Sequence, residues 1–448
     1  FNNAGASLMP TPVLDAQIDH LKLEASIGGY EAAAAAAERC EAIYASVAKL
    51  IHAEVEEIAL VENATVAWDM AFYSLPLEKG DRILTAEAEY AANYIAYLQV
   101  ARRAGAVVET IPSTNAGDVD TRALEDMIDE RVKLISITHI PTNGGLVNPA
   151  AEIGRIANAH GITFLLDACQ SVGQLPVDVG EIGCEILSAT GRKYLRGPRG
   201  TGFLYVRKGL LEKLEPPMID LFAAKWVAPD RYELRPDARR FENWENNYAA
   251  RLGLGVAVDY ALDLGLETIW QRILDLSSNL RARLSEVDGV ELRDIGTVQG
   301  GIVTFTLDGV DSMAIKEALS GQGINVSVSH PASTLLDATR RNLPPVVRAS
   351  VHYYNAETEV ERLVEAIGII AAKRGGVGMR SITGDFVAKL ATICHRLTLP
   401  EEDCETLADM LLPMDEAGER VAKHLEFDME PADFDAAMED LAPRRTFE

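Results

Sequence analysis

Short apolar runs alternate with helical stretches over the first half of the chain. Seven runs rich in Ile, Val and Leu stand out: EIALVEN, DRILTAEAEY, AVVETIPS, VKLISITHI, ITFLLDACQ, EILSAT and GTGFLYVR. Runs of this length, separated by helices, are typical of a mostly parallel sheet that is covered on both faces. They predict a large α/β domain over about residues 50–255.

The same alternation returns after Gly253, on a smaller scale. A helical stretch is followed by VELRDIG, GGIVTFTL, the helix SMAIKEALSGQ, INVSVS and VVRASVHYY. This order predicts a smaller C-terminal α/β domain over residues 256–373. Ahead of both domains lies an N-terminal segment, residues 1–49. A long helix is predicted from Tyr30 to Ala53, because strong helix formers follow a glycine pair there.

The composition changes at RGGVGMR, and an acidic segment follows, so that residues 374–448 form a separate extension. Its apolar positions Phe386, Leu390, Ile393 and Leu397 recur at helical spacing. Pro400 with the acidic residues that follow it is typical of a helix start. The segment is therefore predicted to be a helical appendage that docks onto the main body or a partner.

Length and charge narrow the classes of function. A chain of 448 residues exceeds one ordinary core, and 48% hydrophobic with 25% charged residues is typical of a globular enzyme. A formal net charge of −26 argues against nucleic-acid binding and against an anionic membrane surface. No apolar run of about 18 residues is present, so a membrane span is not expected.

The cysteines and the first ten residues indicate the cellular compartment of the protein and whether a metal site is expected. Five cysteines are widely spaced and include no CxxC pair, which predicts reduced thiols and no metal site. The opening FNNAGASLMP lacks the charged-then-apolar order of a signal peptide. A cytoplasmic location is therefore expected.

Candidate chemistry begins where two neighbouring strands end. Asp167 ends the apolar run ITFLLD, and Lys193 follows the next run, EILSAT. Carboxyl ends of parallel strands are where α/β sheets bind ligands, although Asp167 alone could equally cap a helix. An aspartate and a lysine at one rim suit pyridoxal phosphate: the lysine forms the Schiff base and the aspartate keeps the pyridine nitrogen protonated.

A series of motifs extends this pattern along about residues 1–373: VENAT, EAEYAAN, THIPTNGG, LLDACQS, SATGRKYLRGPRGTG, RRFENWENN and VVRASVHYYN. In this order they resemble the class V aminotransferase and cysteine desulfurase branch of the fold type I pyridoxal phosphate enzymes. The resemblance implies an α/β fold with a mostly parallel seven-stranded sheet, a smaller C-terminal α/β domain and a helical tail. It also implies a homodimer with shared active sites.

The resemblance assigns cofactor contacts residue by residue. Lys193 matches the lysine that binds the cofactor covalently, and Asp167 matches the pyridine partner. Gln170 matches a hydrogen-bond partner of the cofactor's phenolic oxygen. Tyr90 takes the place of a histidine that stacks on the ring, with a half-buried core tyrosine as the structural alternative.

Two further segments match phosphate ligands. Asn63, Ala64 and Thr65 lie at a strand end before a helix, where backbone N–H groups and a hydroxyl can hold an anion. Thr190 and Arg192 stand where relatives carry a small hydroxyl residue and a histidine on the phosphate. A guanidinium there is a stronger anion ligand than imidazole.

Candidate substrate contacts come from three segments. Thr142 and Asn143 match a loop that contacts the ring or the substrate, with a plain turn as the alternative. Arg348 matches the arginine that binds the substrate α-carboxylate, with a structural salt bridge as the alternative. Trp226 is a candidate for the wall of a substrate pocket, although tryptophan is more often a core residue.

The chain departs from the desulfurase pattern in two places. The stretch GINVSVSHPASTLLDATRRNLPPVVRAS contains no cysteine, whereas desulfurases place a nucleophilic cysteine just before the arginine strand. Glu245 stands where desulfurases tend to have a Gly-Thr pair, and Glu242 and Trp244 nearby are further pocket candidates. The sequence therefore looks closer to hercynylcysteine sulfoxide lyase-like C–S lyases and isopenicillin N epimerase-like proteins.

These observations leave three hypotheses. The first is a pyridoxal phosphate enzyme that performs β-elimination on an amino acid and releases pyruvate and ammonia. The second is a class V aminotransferase or an amino-acid epimerase that uses the same proton transfer. The third is a non-catalytic protein of the same fold that acts through its tail, which the presence of Lys193, Asp167 and Arg348 disfavours.

Overall fold

The computed structural model describes residues 1–374, 384–395, 399–400 and 402–411. Residues Phe1–Ala371 form one compact unit, and Ala372–Glu448 form a second. Within the described ranges, no helix is long and apolar enough to cross a membrane.

Three helices follow the first ten residues: α1 (Thr11–Ile27), α2 (Gly29–Ala35) and α3 (Ala37–Ile51). The single helix predicted from Tyr30 is wrong in one respect, since it is interrupted at Ala36, whose backbone leaves the helical region. Helix α1 was not predicted. Its apolar residues Leu14, Ile18 and Leu21 recur at helical spacing, and all three are exposed in the single chain.

A seven-stranded sheet forms the centre of the first unit. Its strands are β1 (Ile58–Val61), β2 (Arg82–Ala86), β3 (Val107–Ile111), β4 (Val132–Thr138), β5 (Thr163–Asp167), β6 (Ile186–Thr190) and β7 (Gly202–Val206). Their order across the sheet is β1-β7-β6-β5-β4-β2-β3, and β7 alone among them runs antiparallel to its neighbours. All seven predicted strands are confirmed, as is the mostly parallel sheet.

Both faces of this sheet are buried. Ile135 and Leu166 pack in one hydrophobic cluster, while their chain neighbours Leu134 and Leu165 pack in another on the opposite face. The alternation follows from the period of two in a strand. The connecting helices are α4 (Ala64–Phe72), α5 (Ala91–Ala104), α6 (Thr121–Asp126), α7 (Ala150–His160), α8 (Val179–Ile182) and α9 (Lys208–Leu211).

A hairpin that was not predicted, β8 (Ala224–Ala228) and β9 (Arg231–Leu234), leads to helices α10 (Tyr248–Leu264) and α11 (Leu266–Ser285). A four-stranded antiparallel sheet follows, in the order β10-β11-β13-β12. The remaining elements up to residue 374 are β10 (Val290–Leu292), β11 (Ile302–Leu307), α12 (Ser312–Ser320), β12 (Ser327–Ser329), α13 (Leu335–Arg340), β13 (Val346–Ser350) and α14 (Glu357–Arg374). The strands and helices expected in this region are present, and the division into two domains near residue 255 stays a prediction.

In the second unit, α15 (Gly384–His395) covers most of the helix predicted from the apolar spacing, and Leu397 lies outside the described residues. Residues 402–411 are also helical, shortly after Pro400. Val387, Cys404 and Ala408 pack together in a small core.

Candidate active site

A cavity of about 190 Å³ lies at the carboxyl edge of the central sheet. Asp167 enters it as the last residue of β5, and Lys193 enters it from the turn after β6. These two strands are hydrogen-bonded neighbours, with Asp167 opposite Ser188 in the parallel register. The strand topology therefore brings the two candidate residues into one cavity.

Lys193 is held in a tight turn and is half-buried in the cavity wall. The turn is closed by the Arg196 N–H bonded to the Lys193 carbonyl and by the Gly197 N–H bonded to the Gly191 carbonyl, at 3.0 and 2.7 Å. Burial lowers the pKa of the Lys193 amine, and nearby Asp167 offsets part of that effect. A neutral amine is the form that attacks a carbonyl carbon or accepts a proton.

The Asp167 carboxylate is anchored on both oxygens. Oδ1 accepts a hydrogen bond from the Cys169 N–H at 3.0 Å, and Oδ2 accepts one from Asn93 Nδ2 at the same distance. The segment after Asp167 is a turn and not a helix, so the helix-cap alternative does not apply. Both contacts leave the carboxylate in the cavity wall.

Only some of the residues predicted to bind the phosphate line the cavity. Ala64 and Thr65, at the N-terminus of α4, line the cavity together with Arg192. Asn63 does not line it, because its side chain caps α4 by accepting a hydrogen bond from the Val66 N–H at 3.0 Å. The Thr190 hydroxyl also lies outside the lining and accepts a hydrogen bond from Arg192 Nη1 at 3.1 Å. Thr190 therefore orients Arg192.

Arg348 reaches the cavity from β13. Its Nε donates to Ser327 Oγ at 3.0 Å, and its Nη1 donates to Thr142 Oγ1. In the described part of the chain no carboxylate pairs with Arg348, so the structural salt bridge considered above is absent. Burial lowers the pKa of this guanidinium, which therefore stands desolvated beside Lys193 with hydroxyl partners alone.

Tyr90 and Gln170 both line the cavity. Tyr90 is 41% exposed, which excludes the half-buried core alternative. Gln170 is buried; its Nε2 donates to the Ala4 carbonyl at 3.2 Å, while its Oε1 has no hydrogen-bond partner. That unpaired oxygen requires a polar ligand atom or a rearranged amide.

Two candidate substrate residues do not line the cavity. Asn143 is buried, and its Nδ2 donates to the His330 carbonyl and to Thr334 Oγ1, so it joins two loops. Trp226 is 78% exposed on the hairpin β8–β9, where it pairs across the strands with Tyr232, which is also exposed. Neither residue meets a ligand in this cavity within one chain.

The further pocket candidates from the FENWE stretch also lie elsewhere. Glu242 is buried and forms an ion pair with Arg251 at 2.9 Å, and it accepts a hydrogen bond from the Tyr44 hydroxyl at 2.8 Å. Trp244 is 49% exposed. Arg196, unassigned from the sequence, donates to the Leu8 carbonyl at 2.8 Å and lies over the Tyr354 ring at 4.2 Å, so it ties the N-terminal segment down.

Several lining residues were missed. Ala4 and Gly5 come from the N-terminal segment, which the Ser350 hydroxyl holds by accepting the Ala4 N–H at 2.9 Å. No local pattern predicts this distant contact. Asn93 and Cys169 also line the cavity, and their position within three residues of Tyr90 and Asp167 is a signal that sequence reasoning could have used.

The polar and charged groups in this cavity fit pyridoxal 5′-phosphate. A helix N-terminus with Arg192 suits a phosphate, a buried carboxylate suits a protonated pyridine nitrogen, and a buried amine suits an aldehyde. Gln170 Oε1 is the unpaired buried atom that a polar group of the ligand would meet. With the site at the carboxyl ends of a mostly parallel sheet, these features define a pyridoxal phosphate-dependent enzyme of fold type I.

The chain belongs to the Aminotransferase class-V family, whose sequence profile matches residues 1–363. A probable cysteine desulfurase from Methanothermobacter thermautotrophicus is 31% identical over 374 residues, which cover 82% of this chain and 93% of that relative. The apo structure of a cysteine desulfurase from Thermococcus onnurineus NA1 matches with a TM-score of 0.77 and 27% identity, covering 83% of this chain and 94% of the other.

A complex of the cystine C–S lyase C-DES with its product cysteine persulfide shares the fold, with a TM-score of 0.74 and 24% identity over 82% of this chain and 96% of the other. The predicted family, fold type and cofactor are therefore confirmed. The narrower placement among C–S lyase-like and epimerase-like proteins stays a prediction.

Proposed function

We propose that this protein is a β-eliminating lyase that acts on an amino acid with a sulfur substituent on its β-carbon. The observation that supports the proposal best is the buried guanidinium of Arg348, which lines the same cavity as Lys193 and has hydroxyl partners only. A buried cation of this kind favours a carboxylate ligand strongly, because the ligand supplies the missing counter-charge.

Substrate binding, orientation and proton transfer are assigned to different residues of the cavity. Arg348 binds the substrate carboxylate, and Thr142 and Ser327 orient its guanidinium. Lys193, whose pKa is lowered by burial, is the base that takes the proton from the substrate α-carbon. When bound, the cofactor withdraws electrons from that carbon and so makes the proton more acidic. The same proton transfer precedes departure of the β-substituent.

The absence of a cysteine between residues 324 and 348 favours elimination over desulfuration. A desulfurase transfers sulfur to a thiol of its own, and this segment offers serines, two threonines and a histidine instead. Without an acceptor thiol in this segment, sulfur leaves with the departing group, and the remaining three-carbon product hydrolyses to pyruvate and ammonia.

The test is product analysis on the cofactor-loaded protein. β-Substituted amino acids are incubated without any keto acid, and pyruvate and ammonia are measured. Equimolar release of both is expected, with loss of release in Lys193→Ala and normal release in the surface control Lys225→Ala, which lies on the exposed hairpin. A strict requirement for a keto acid would contradict the proposal.

Membership in an aminotransferase family makes transamination the second candidate, with epimerisation as its variant. Conversion of the bound cofactor to its amine form by a single amino acid would favour the transferase. Exchange of the α-hydrogen with inversion at the α-carbon, without loss of the β-substituent, would favour the epimerase.

We also propose that the protein is a homodimer with shared active sites in the cytoplasm. Large apolar side chains stand exposed on α1, on α2 and beside α10, among them Leu21, Tyr30 and Trp244. Exposed apolar patches of this kind mark contact surfaces between proteins. Light scattering is expected to give twice the chain mass, and a fully active monomer would exclude shared sites.

A further inference from the structure

Glu89 is a buried carboxylate in the loop between β2 and α5, and it is 3% exposed. Its oxygens accept hydrogen bonds from Thr85 Oγ1 at 3.1 Å, the Tyr90 N–H at 3.0 Å, Asn93 Nδ2 at 2.9 Å, and the N–H and Oγ1 of Thr138 at 3.1 and 2.5 Å. In the described ranges it forms no ion pair. Three of the four donor residues, Tyr90, Asn93 and Thr138, line the cofactor cavity.

Asn93 connects Glu89 to Asp167. Its Nδ2 lies 2.9 Å from Glu89 Oε1 and 3.0 Å from Asp167 Oδ2. A side-chain amide nitrogen carries two hydrogens, so each carboxylate can receive one. An amide turned by 180° would place its oxygen against two acceptors, which repel it. The two carboxylates together therefore determine which way the Asn93 amide points.

We infer that Glu89, acting through Asn93, is a positioning residue that keeps the Asp167 carboxylate aimed at the cofactor. The inference rests on the proposed role of Asp167 as the partner of the pyridine nitrogen. Asp167 Oδ1 is held by the backbone of Cys169, so Asn93 is the side chain that decides the rotation of Oδ2. Without Glu89, the Asn93 amide can turn and push that oxygen away.

The titratable groups around Glu89 allow this assignment. Burial raises the pKa of Glu89 to about 7 against the effect of its hydrogen-bond donors, and the negative charge of Asp167 on β5 adds to this rise. The Tyr97 phenol on α5 is bonded to Ser136 Oγ at 2.7 Å, and burial raises its pKa, so it stays neutral. Burial lowers the pKa of His139, next to Thr138, to about 4, so this imidazole is also neutral near pH 7.

The experiment compares wild type, Glu89→Gln, Asn93→Ala and the double variant, all without substrate. Asn158→Ala is the matched control, because Asn158 Nδ2 also donates two hydrogen bonds, both at 2.8 Å, but to the carbonyls of Gly154 and Gly183, away from the cavity. Pyridoxal phosphate affinity is measured by equilibrium dialysis. The visible absorbance of the bound cofactor is then titrated with pH.

Both single variants are expected to bind the cofactor roughly tenfold or more weakly, as for loss of a hydrogen bond to a charged group. Both should also shift the cofactor's visible absorbance transition to higher pH, because a misaligned carboxylate stabilises the protonated ring nitrogen less, and loss of that positive charge raises the pKa of the conjugated imine nitrogen. The double variant should add little to either single change. Asn158→Ala should match wild type in both measurements.

Titration curves like wild type in both single variants, or fully additive losses, would overturn the inference. If Asn93→Ala does not fold, as judged by thermal unfolding of the cofactor-free protein, the nearly isosteric Glu89→Gln decides alone. Asp167→Ala separates the two proposals. If Asp167→Ala keeps the wild-type cofactor affinity and titration curve, the proposed role of Asp167 is wrong. If Asp167→Ala loses both while Glu89→Gln keeps both, Asp167 retains its role and only the positioning role of Glu89 is rejected.

Discussion

Ser327 and Arg348 stand directly opposite each other on the antiparallel strands β12 and β13, and the Ser327 hydroxyl accepts a hydrogen bond from Arg348 Nε at 3.0 Å. A guanidinium has five donors in one plane, so holding Nε fixes the direction of the remaining ones. The cross-strand pair therefore orients the group that we propose to bind the substrate carboxylate.

Replacing Ser327 by alanine should weaken substrate binding without removing the catalytic base. Loss of one hydrogen bond of about 1 kcal/mol corresponds to a KM raised roughly fivefold, with kcat retained. Steady-state kinetics check this expectation. Ser329→Ala, two residues further along the same strand, is the control and should leave KM unchanged. A fall in kcat alone would show that Ser327 does not act through substrate binding.

Arg348→Met should lower the activity of the enzyme without lowering the stability of its fold. The guanidinium is desolvated without a carboxylate partner, so its removal is expected to leave the thermal unfolding temperature of the cofactor-free protein unchanged or raised. At the same time kcat/KM should fall by about 100-fold or more, as for loss of charge-assisted hydrogen bonds.

Arg281→Met is the contrasting variant, because Arg281 forms a 2.5 Å ion pair with the buried Asp294. Breaking that pair leaves a buried charge alone and should destabilise the protein by about 3 kcal/mol. Equal destabilisation by both variants would mean that Arg348 has a structural role like that of Arg281.

The stability of the cofactor-free protein should depend on pH through Glu89. Its pKa is raised from 4.5 to about 7, so between these values the folded state binds more protons than the unfolded state. Stability contributed by protonated Glu89 is therefore fully present below about pH 4.5 and is lost as pH rises through about 7.

Denaturant unfolding across this pH window checks the expectation. Glu89→Gln should show a shallower fall in the free energy of unfolding than wild type, while Glu62→Gln, at an exposed position, should retain the wild-type slope. Identical slopes in all three proteins would show that Glu89 is already ionised at low pH.

Cys40, Cys169 and Cys184 should carry no sulfur after turnover. Burial raises the pKa of Cys169 to about 12 and also raises the pKa of Cys40 and Cys184, so the reactive thiolate is scarce at each. Mass spectrometry of the protein after incubation with cysteine is expected to show an unchanged mass at these positions. A reducible sulfur adduct on Cys169 would indicate desulfurase chemistry through a thiol inside the cavity.

The sequence alone determined the central sheet and the proximity of Asp167 to Lys193. The seven strands were predictable because each is a short run of Ile, Val and Leu between helices, and a strand buried on both faces has this pattern. The proximity of the two residues followed because they end neighbouring parallel strands. By contrast, the hairpin β8–β9 mixes exposed polar and aromatic residues and has no clear pattern, whereas the helical spacing of Leu14, Ile18 and Leu21 in α1 was a signal that the prediction overlooked.

The tertiary structure decided the partners of these residues. Thr142 and Arg348 are 206 positions apart, and Ala4 and Gln170 are 166 positions apart, so no local pattern shows that they meet. The same holds for Asn143, whose amide joins two loops, and for Trp226, which remains in solvent. Periodicity reports which face of an element is buried, whereas a hydrogen-bond partner depends on how separate elements pack. For that reason the sequence predicted the cofactor, and only the fold revealed the unpaired guanidinium and the Glu89–Asn93–Asp167 chain.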